Sequence, residues 1–476
     1  MSGIGTRDGG LQLEALRERL AASPDAARLR PLGLGRIVAG PQALAQLRPI
    51  LTDLIGERTG PVALLVDATR MWRRGVNLKP CIVAALEPER QVRPVRVGPP
   101  DGPAHADEET VAAALAAVRG CMAIVSVGSG TVADIGKVVS SELGGLPHVV
   151  VQTAASVNGF ADDQSVLLRN GVKRTVQSRW PDVLLLDGAT LADAPAALSL
   201  AGLGDLVSMF TAGADWYLAR AVGLDDSYSE TVVALGREHG DELLALAPRL
   251  ARGTSVSVGR LAEILAVSGI SMGVAGRTAP SSGMEHTVSH LLEMAAERRG
   301  AGGTLHGAKV GVTTIVAALT WRQLRRRIAE RGLELRFPSA AEMEPRVRAA
   351  FEPLDPSGAM AEECWRDYRV KLERWRANRE ALGALAGDWD AHEVALDGLL
   401  VEPATLVGAM REAGAPVRFS ELDPAVDAAT ARWAIANCHL MRDRFTVADL
   451  ACFTGAWEEA DVEQVLADAA ELGAGL

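Results

Sequence analysis

What this sequence lacks narrows it first. Its five cysteines, Cys81, Cys121, Cys364, Cys438 and Cys452, are odd in number and show no C-x-x-C spacing. Neither a disulfide framework nor a zinc ribbon is therefore indicated, and buried free thiols are expected. The opening Met1-Ser-Gly-Ile-Gly-Thr-Arg-Asp has no apolar core of a signal peptide, and no run approaches the ~18 apolar residues of a membrane span. The expectation is a cytoplasmic protein without a membrane span. Basic charge is also short: 49 Lys and Arg face 60 Asp and Glu, a formal charge of −11. That argues against a general nucleic-acid or anionic-membrane binder, but leaves room for a local basic pocket that takes a small phosphorylated molecule. Beyond alanine richness there is no repeat or low-complexity tract.

What is present is a long, apolar chain. With 476 residues, 48% hydrophobic and 23% charged, it can bury large cores in two or three domains. Residues 1–35, rich in Leu, Ala and Arg, read as an N-terminal arm with an amphipathic helix ending near Pro31. From Arg36, short apolar runs alternate with helical stretches: Pro61–Val66, Met122–Val127, His148–Gln152 and Val183–Leu186 are the strands. This pattern predicts an α/β nucleotide-binding domain with a Rossmann-like parallel sheet over residues 36–195. Beyond the Ala-rich stretch through Pro195 the apolar period is helical, which predicts an all-α domain over 196–476.

Two stretches carry chemistry. In Ser281-Ser-Gly-Met-Glu-His286-Thr-Val-Ser-His290, Ser282 and Glu285 have capping-box spacing, so a helix is expected to start at Ser282. His286 and His290 then stand one turn apart. At ~100° per residue, Met284, Val288, Leu291, Leu292 and Ala295 form a packing stripe, with the histidines roughly opposite beside Glu293 and Glu297. A solvated polar face is the plain alternative. Imidazoles are the commonest zinc ligands, but a catalytic site needs a third protein group from elsewhere. The other stretch is Gly128-Ser129-Gly130-Thr131 between a strand and a helix, a turn whose N–H groups suit a pyrophosphate. It is not a Walker A loop, because Val138 follows Lys137. Asp67, closing an earlier strand, suits either a ribose hydroxyl or an ordinary turn, and Arg70 nearby leaves NAD and NADP both open.

Taken together, these residues resemble a known group. Gly128-Ser-Gly-Thr-x-x-Asp134-x-x-Lys137 followed by Thr153-Ala-x-Ser156 is similar to the nucleotide-binding half of the iron-containing alcohol dehydrogenase and dehydroquinate synthase-like superfamily. The sn-glycerol-1-phosphate dehydrogenases resemble it most, through Ser156-x-x-Gly159, Gly171-Val-Lys173-Arg174-Thr175, Gly204-Asp205-Leu, the His286/His290 helix, His306-Gly307 and Arg442-Asp-Arg-Phe-Thr-Val447.

The resemblance, from about Arg36 to about Ala456, implies a two-domain dehydrogenase with substrate in the cleft between the domains. It implies NAD or NADP held by Asp67, Gly128, Ser129, Gly130, Thr131, Asp134, Lys137, Thr153 and Ser156. One divalent metal, nickel, zinc or iron, is implied on Asp205, His286 and His306, with His290 and Asn158 near the reacting substrate. Lys173 and Arg174 are candidates for a substrate phosphate, or are solvated charges. The implied reaction interconverts dihydroxyacetone phosphate and sn-glycerol 1-phosphate, or a related phosphorylated or polyol ketone and its alcohol, in a homo-oligomer. Asn158 departs from the family, which has an acid there, and Gln152 stands where proline is common; both bear on substrate. A sugar-phosphate cyclase and a low-turnover nucleotide-binding homologue are the alternatives. The Trp365–Trp375 stretch reads as packing, and His239, His392 and His439 receive no role.

Overall fold

The computed structural model describes residues 12–476 apart from 88, 103, 170, 171 and 301. Among the described residues ten strands are formed: β1 (Arg36–Gly40), β2 (Val62–Val66), β3 (Trp72–Arg73), β4 (Val76–Asn77), β5 (Val92–Arg96), β6 (Ala123–Gly128), β7 (His148–Gln152), β8 (Gln164–Arg169), β9 (Val172–Gln177) and β10 (Val183–Asp187). The helices that concern the sites are α1 (Leu13–Ala21), α2 (Gly130–Glu142), α3 (Ala196–Leu206), α4 (Met209–Ala221), α5 (Ser255–Ala275), α6 (Met284–Arg298), α7 (His306–Arg331), α8 (Ala359–Ala377) and α9 (Val447–Phe453).

The chain forms two compact units, and neither is contiguous. One comprises the chain up to Gly202 together with Ala234–Arg277; the other comprises Leu203–Val233 and Thr278–Leu476. The sequence pattern suggested a single crossing near residue 195.

The first unit is built on a six-stranded parallel sheet in the order β1-β10-β7-β6-β2-β5. Its central strands are buried on both faces, which is why they read as unbroken apolar runs. Period two divides them: Val62, Leu64, Val125, Val127, Val149 and Val151 line one core, while Ala63, Leu65 and Ile124 line the other. The expected arm is a short helix, α1, which buries Leu13, Leu16 and Leu20 and ends at Ala21, well before Pro31. Arg17 ties it to the carbonyls of Leu32 and Leu34. Residues 1–11 of the arm lie outside the described residues. Helix α5, which the apolar period assigned to the helical domain, belongs to this first unit.

The second unit is helical. Its long helix α7 is buried along most of its length, from Gly307 to Trp321, with Leu324 and Ile328 beyond. Contrary to the expectation from run length, two stretches among the described residues, Ala196–Ala221 and Ser255–Ala275, are long and apolar enough to cross a membrane; 78% and 83% of the residues in their most apolar 18-residue windows are buried in the protein. Burial of that extent is what a helix apolar all round requires inside a large globular fold.

Candidate metal centre

Helix α6 starts two residues later than its capping box suggested. Gly283 is its N-cap, without a side-chain cap. Glu285 does reach back to the Gly283 N–H, but it is fully buried, and its remaining capacity serves other groups. Its Oε2 accepts from Thr211 Oγ1 at 2.8 Å, and its Oε1 takes the Nδ1–H of His286 at 3.1 Å. Ser282, displaced from the cap, is bound through both its oxygens by Arg444. The apolar stripe packs as expected, with Met284, Val288, Leu291, Leu292 and Ala295 all buried. The first part of the opposite face is not solvated: Glu285, His286, Ser289 and Glu293 are buried as well, His290 is partly buried, and Glu297, near the helix end, is exposed.

Three elements bring the ligands together. Asp205 stands near the end of α3, His286 in the first turn of α6, and His306 is the first residue of α7. Asp205 Oδ1 lies 3.6 Å from His286 Nε2 and 3.9 Å from His306 Nε2, and one donor atom from each residue falls within 4.8 Å of the others. Tetrahedral ligands ~2.0–2.1 Å from an ion stand about 3.3 Å apart, so a small inward movement completes the set. The approach of α3 to α7 depends on Gly204: a Cβ there would sit 2.2 Å from the Gly307 carbonyl oxygen.

The second ring nitrogens settle which atom faces an ion. His286 Nδ1 donates to Glu285, and His306 Nδ1 donates to Glu293 Oε1 at 2.9 Å. Carboxylates behind both imidazoles hold a proton on each Nδ1 and so leave Nε2, on the Asp205 side, as the nitrogen a metal ion would take, as metal-binding histidines require. Asp205 and His286 are buried, whereas the His306 side chain is 31% exposed, so the centre opens on that side.

Burial, the largest influence on His286, opposes its charge, yet hydrogen bonds and charges from Asp205 and Glu285 prevail and lift its pKa to about 9. A metal ion competes with that proton. His290 behaves oppositely: burial and the Arg442 charge push it down to about 3, against the pull of Glu293. Its ring centroid is 6.2 Å from that of His286 and 5.8 Å from that of His306, and its Nδ1 is 3.4 Å from Glu293 Oε2. Glu293 thus joins His290, His306 and, at 3.0 Å, Lys309. Burial raises its pKa, but these partners outweigh it and hold the carboxyl well below the usual range.

Sequence reasoning placed Glu293 on the right face without a task, and it missed Asp215 and Lys371. Asp215 accepts from Met284 N, Val447 N and Trp321 Nε1, joining the starts of α6 and α9. Lys371, on α8, is buried; it pairs with Asp449 at 2.6 Å and donates to the carbonyls of His439 and Arg444. No local pattern marks either residue. Arg442, between these anchors, has φ +59°, a left-handed conformation that costs a non-glycine residue ~1–3 kcal/mol.

In the first unit, Gly128, Ser129, Gly130, Thr153 and Ser156 converge where β6 and β7 end. Thr153 N donates to Gly128 O at 3.0 Å, and the hydroxyls of Ser129 and Ser156 lie 2.8 Å apart. Ser129 is the N-cap of α2 without a side-chain cap, and Thr131 is exposed in the first turn.

Asp134 and Lys137 correct the expectation that they face a cofactor. The Lys137 ammonium is fully buried and shared among Asp134, Asp162, Gly159 O and Gln164 O. Three N–H donors ringed by four acceptors leave none for a phosphate, so the pair braces the turn from within. Asp67 accepts from Thr69 N and Oγ1 and pairs with Lys79 at 3.0 Å. Asn158 is buried and donates to Ser268 Oγ at 3.0 Å. Lys173 and Arg174 stand on strand β9 of the antiparallel β8–β9 hairpin; Arg174 is exposed.

The pattern of the iron-containing alcohol dehydrogenase family matches residues 38–195. Over 293 residues the chain is 31% identical to a glycerol-1-phosphate dehydrogenase [NAD(P)+] of Methanocorpusculum labreanum, covering 61% of this chain and 77% of the relative. It is 29% identical over 418 residues to the enzyme of that name from Bacillus licheniformis, 87% of this chain and 88% of the relative. The fold is similar to that of a probable glycerol dehydrogenase from Sinorhizobium meliloti, with TM-score 0.56, 17% identity, and coverage of 92% of this chain and 99% of the other.

Proposed function

Because the chain belongs to the glycerol-1-phosphate dehydrogenase family of iron-containing alcohol dehydrogenases, we propose that this metal-dependent NAD(P) oxidoreductase interconverts dihydroxyacetone phosphate and sn-glycerol 1-phosphate. The observation that carries the reading is the convergence of Asp205, His286 and His306, each histidine backed by a carboxylate. That donor set suits a divalent ion, taken here to be nickel, zinc or iron(II).

Bound there, the ion supplies Lewis-acid polarisation of the ketone oxygen, and the nicotinamide supplies the hydride. The protein does the rest. Glu285 and Glu293 hold the two ligating imidazoles in one orientation. His290, neutral through burial and with Nδ1 turned to Glu293, keeps Nε2 for a substrate hydroxyl and for passing the proton that reduction consumes. In the first unit, the open N–H groups at Gly130 and Thr131 and the hydroxyls of Ser129 and Ser156 are proposed to hold the pyrophosphate. Asp67 is assigned to the ribose, and Asn158 to a substrate hydroxyl as an uncharged acceptor. Lys173 and Arg174 remain assigned to the anionic end of the substrate.

The test is NADH loss with dihydroxyacetone phosphate on chelator-stripped protein, before and after restoring nickel, zinc or ferrous iron. Turnover that returns with one ion establishes the reaction and names the metal. Silence with all three, with NADH and metal still bound, rejects this substrate.

A further inference from the structure

Helix α4 carries none of the candidate ligands, yet one of its faces is bonded to each of the segments that do. Ser208, Thr211 and Asp215 recur at the i, i+3, i+7 spacing that shares a helix face, and all three are buried. The hydroxyl of Ser208, the N-cap, lies 2.6 Å from Asp205 O and 3.0 Å from Ser281 O, just ahead of α6. Asp215 accepts from Met284 N at 2.7 Å and, at 3.1 Å, from the indole N–H of Trp321 on α7. Thr211 Oγ1 donates to Glu285 Oε2 at 2.8 Å. Glycine at position 283 permits this approach, since a Cβ there would stand 2.5 Å from Asp215 Oδ2 and 3.1 Å from Ala212 Cα.

The two carboxylates behind the ligating imidazoles are held differently. Glu293 faces Lys309 at 3.0 Å as well as His290 and His306. The hydrogen bonds to the Glu285 side chain come from Gly283 N and His286 Nδ1, both on Oε1, and from Thr211, on Oε2. The last torsion of a glutamate is broad and roughly two-fold, so donors on one oxygen leave the carboxylate plane to swing about it, and a donor on the other oxygen stops that swing. Thr211 suits the role, because a β-branched side chain has few rotamers on a helix and its own helix is tied to α6 at Asp215. Glu285 is fully buried, so a donor taken from Oε2 is not replaced by bulk solvent.

We propose that Thr211 is a positioning residue of the metal centre: its hydroxyl fixes the Glu285 carboxylate, which in turn holds the His286 imidazole with Nε2 on the Asp205 side. The inference rests on the proposed metal centre and extends it one helix outward, to a residue that acts on the ion through two others.

Thr211→Val keeps the shape of the side chain and removes the hydroxyl, Thr211→Ala removes it with a smaller side chain, and Thr211→Ser keeps it. On the full chain, stripped with a chelator, zinc affinity is read by competition with a chromophoric chelator. Cobalt(II) is added for its visible absorption spectrum, and thermal unfolding is followed with and without zinc. Affinity is expected to fall ~10-fold in Thr211→Val and Thr211→Ala, with an altered cobalt band and a smaller rise in Tm on adding zinc, while Thr211→Ser stays within about threefold of wild type. A purely structural threonine would lower Tm with and without zinc alike and leave affinity and spectrum unmoved. Combining Thr211→Val with Glu285→Gln is expected to cost little beyond Glu285→Gln alone, because the two residues act in series.

Zinc bound by Thr211→Val and Thr211→Ala as tightly as by wild type overturns the assignment. So does a loss in Thr211→Ser equal to that in Thr211→Val, which would make packing the cause, and additive losses in the double variant reject the route through Glu285. A wild type that binds neither zinc nor cobalt rejects the metal centre and the positioning role together. If metal binding depends on Thr211 but dihydroxyacetone phosphate is not reduced, the positioning role stands and the proposed reaction fails.

Discussion

Gly204→Ala sets two effects of opposite sign against each other. Helix propensity alone favours alanine by ~1 kcal/mol in a helix interior. The new Cβ, however, would lie 2.2 Å from the Gly307 carbonyl oxygen and 3.3 Å from Gly311 Cα. Neither neighbour is a side chain that can swing away, so α3 and α7 must part by about 1 Å to restore ordinary contact, at a cost of ~1–3 kcal/mol. Asp205 and His306 ride on those helices beside the contact, and their donors are already 3.9 Å apart. Metal sites tolerate ligand distances to within about 0.2 Å, so a shift of that size takes one ligand out of reach. The expected outcome is a loss of zinc affinity of at least ~100-fold, about 2.7 kcal/mol. It is read by competition with a chromophoric chelator, alongside thermal unfolding with and without zinc. A variant that melts higher than wild type and keeps zinc affinity within about threefold would refute the reasoning, since propensity would then have outweighed packing.

Glu293→Gln keeps the shape but removes the charge shared by His290, His306 and Lys309; metal affinity or kcat is expected to drop ~10–100-fold, and unchanged values in both would show the carboxylate to be incidental. Asn158→Asp gives a substrate hydroxyl a charge-assisted acceptor, so kcat/KM for dihydroxyacetone phosphate is expected to rise by about tenfold; no gain would mean that this position does not limit the reaction. His148 is buried, bonded through Nε2 to Ser126, and pushed down to about 3 by burial and by Lys137 and Arg179. Its folded pKa lies below the unfolded value of ~6.5, so its stabilisation is present above pH ~6.5 and is lost as pH falls toward 3; between pH 6.5 and 5 this amounts to at most about 2 kcal/mol. Urea unfolding at pH 7 and pH 5 should show a smaller acid loss for His148→Gln than for wild type, and parallel losses would reject the assignment.

The sequence was most readable where one residue type has one physical use. Buried strands of the parallel sheet announced themselves as unbroken Val, Leu and Ile, and the α6 stripe followed from helical period alone. The Asp205, His286 and His306 set came from matching several short motifs in order, since no single one is specific. Misreadings arose where a local pattern had more than one solution. Ser282 and Glu285 had the spacing of a cap, yet glycine took the cap and Glu285 turned to a histidine. Lys137 followed a turn whose pattern suits a phosphate, but its ammonium was needed inside, by Asp134 and Asp162. Asp215 and Lys371 join segments far apart in the chain, and no window of neighbouring residues contains that information.

The interrupted division of the chain has a consequence for its synthesis. The first unit is incomplete when Gly202 leaves the ribosome, because α5 is still about fifty residues away and Leu203–Val233, which belong to the other unit, emerge first. Domains generally fold as units in the order they are made, but here neither unit can close before the other has begun. Asp205 is made early and waits until His306 has emerged before the candidate ligand set is complete. A fragment cut at the sheet's last strand would lack α5, so dissecting this protein into halves calls for a circular permutation or a linker that joins Gly202 to Ala234.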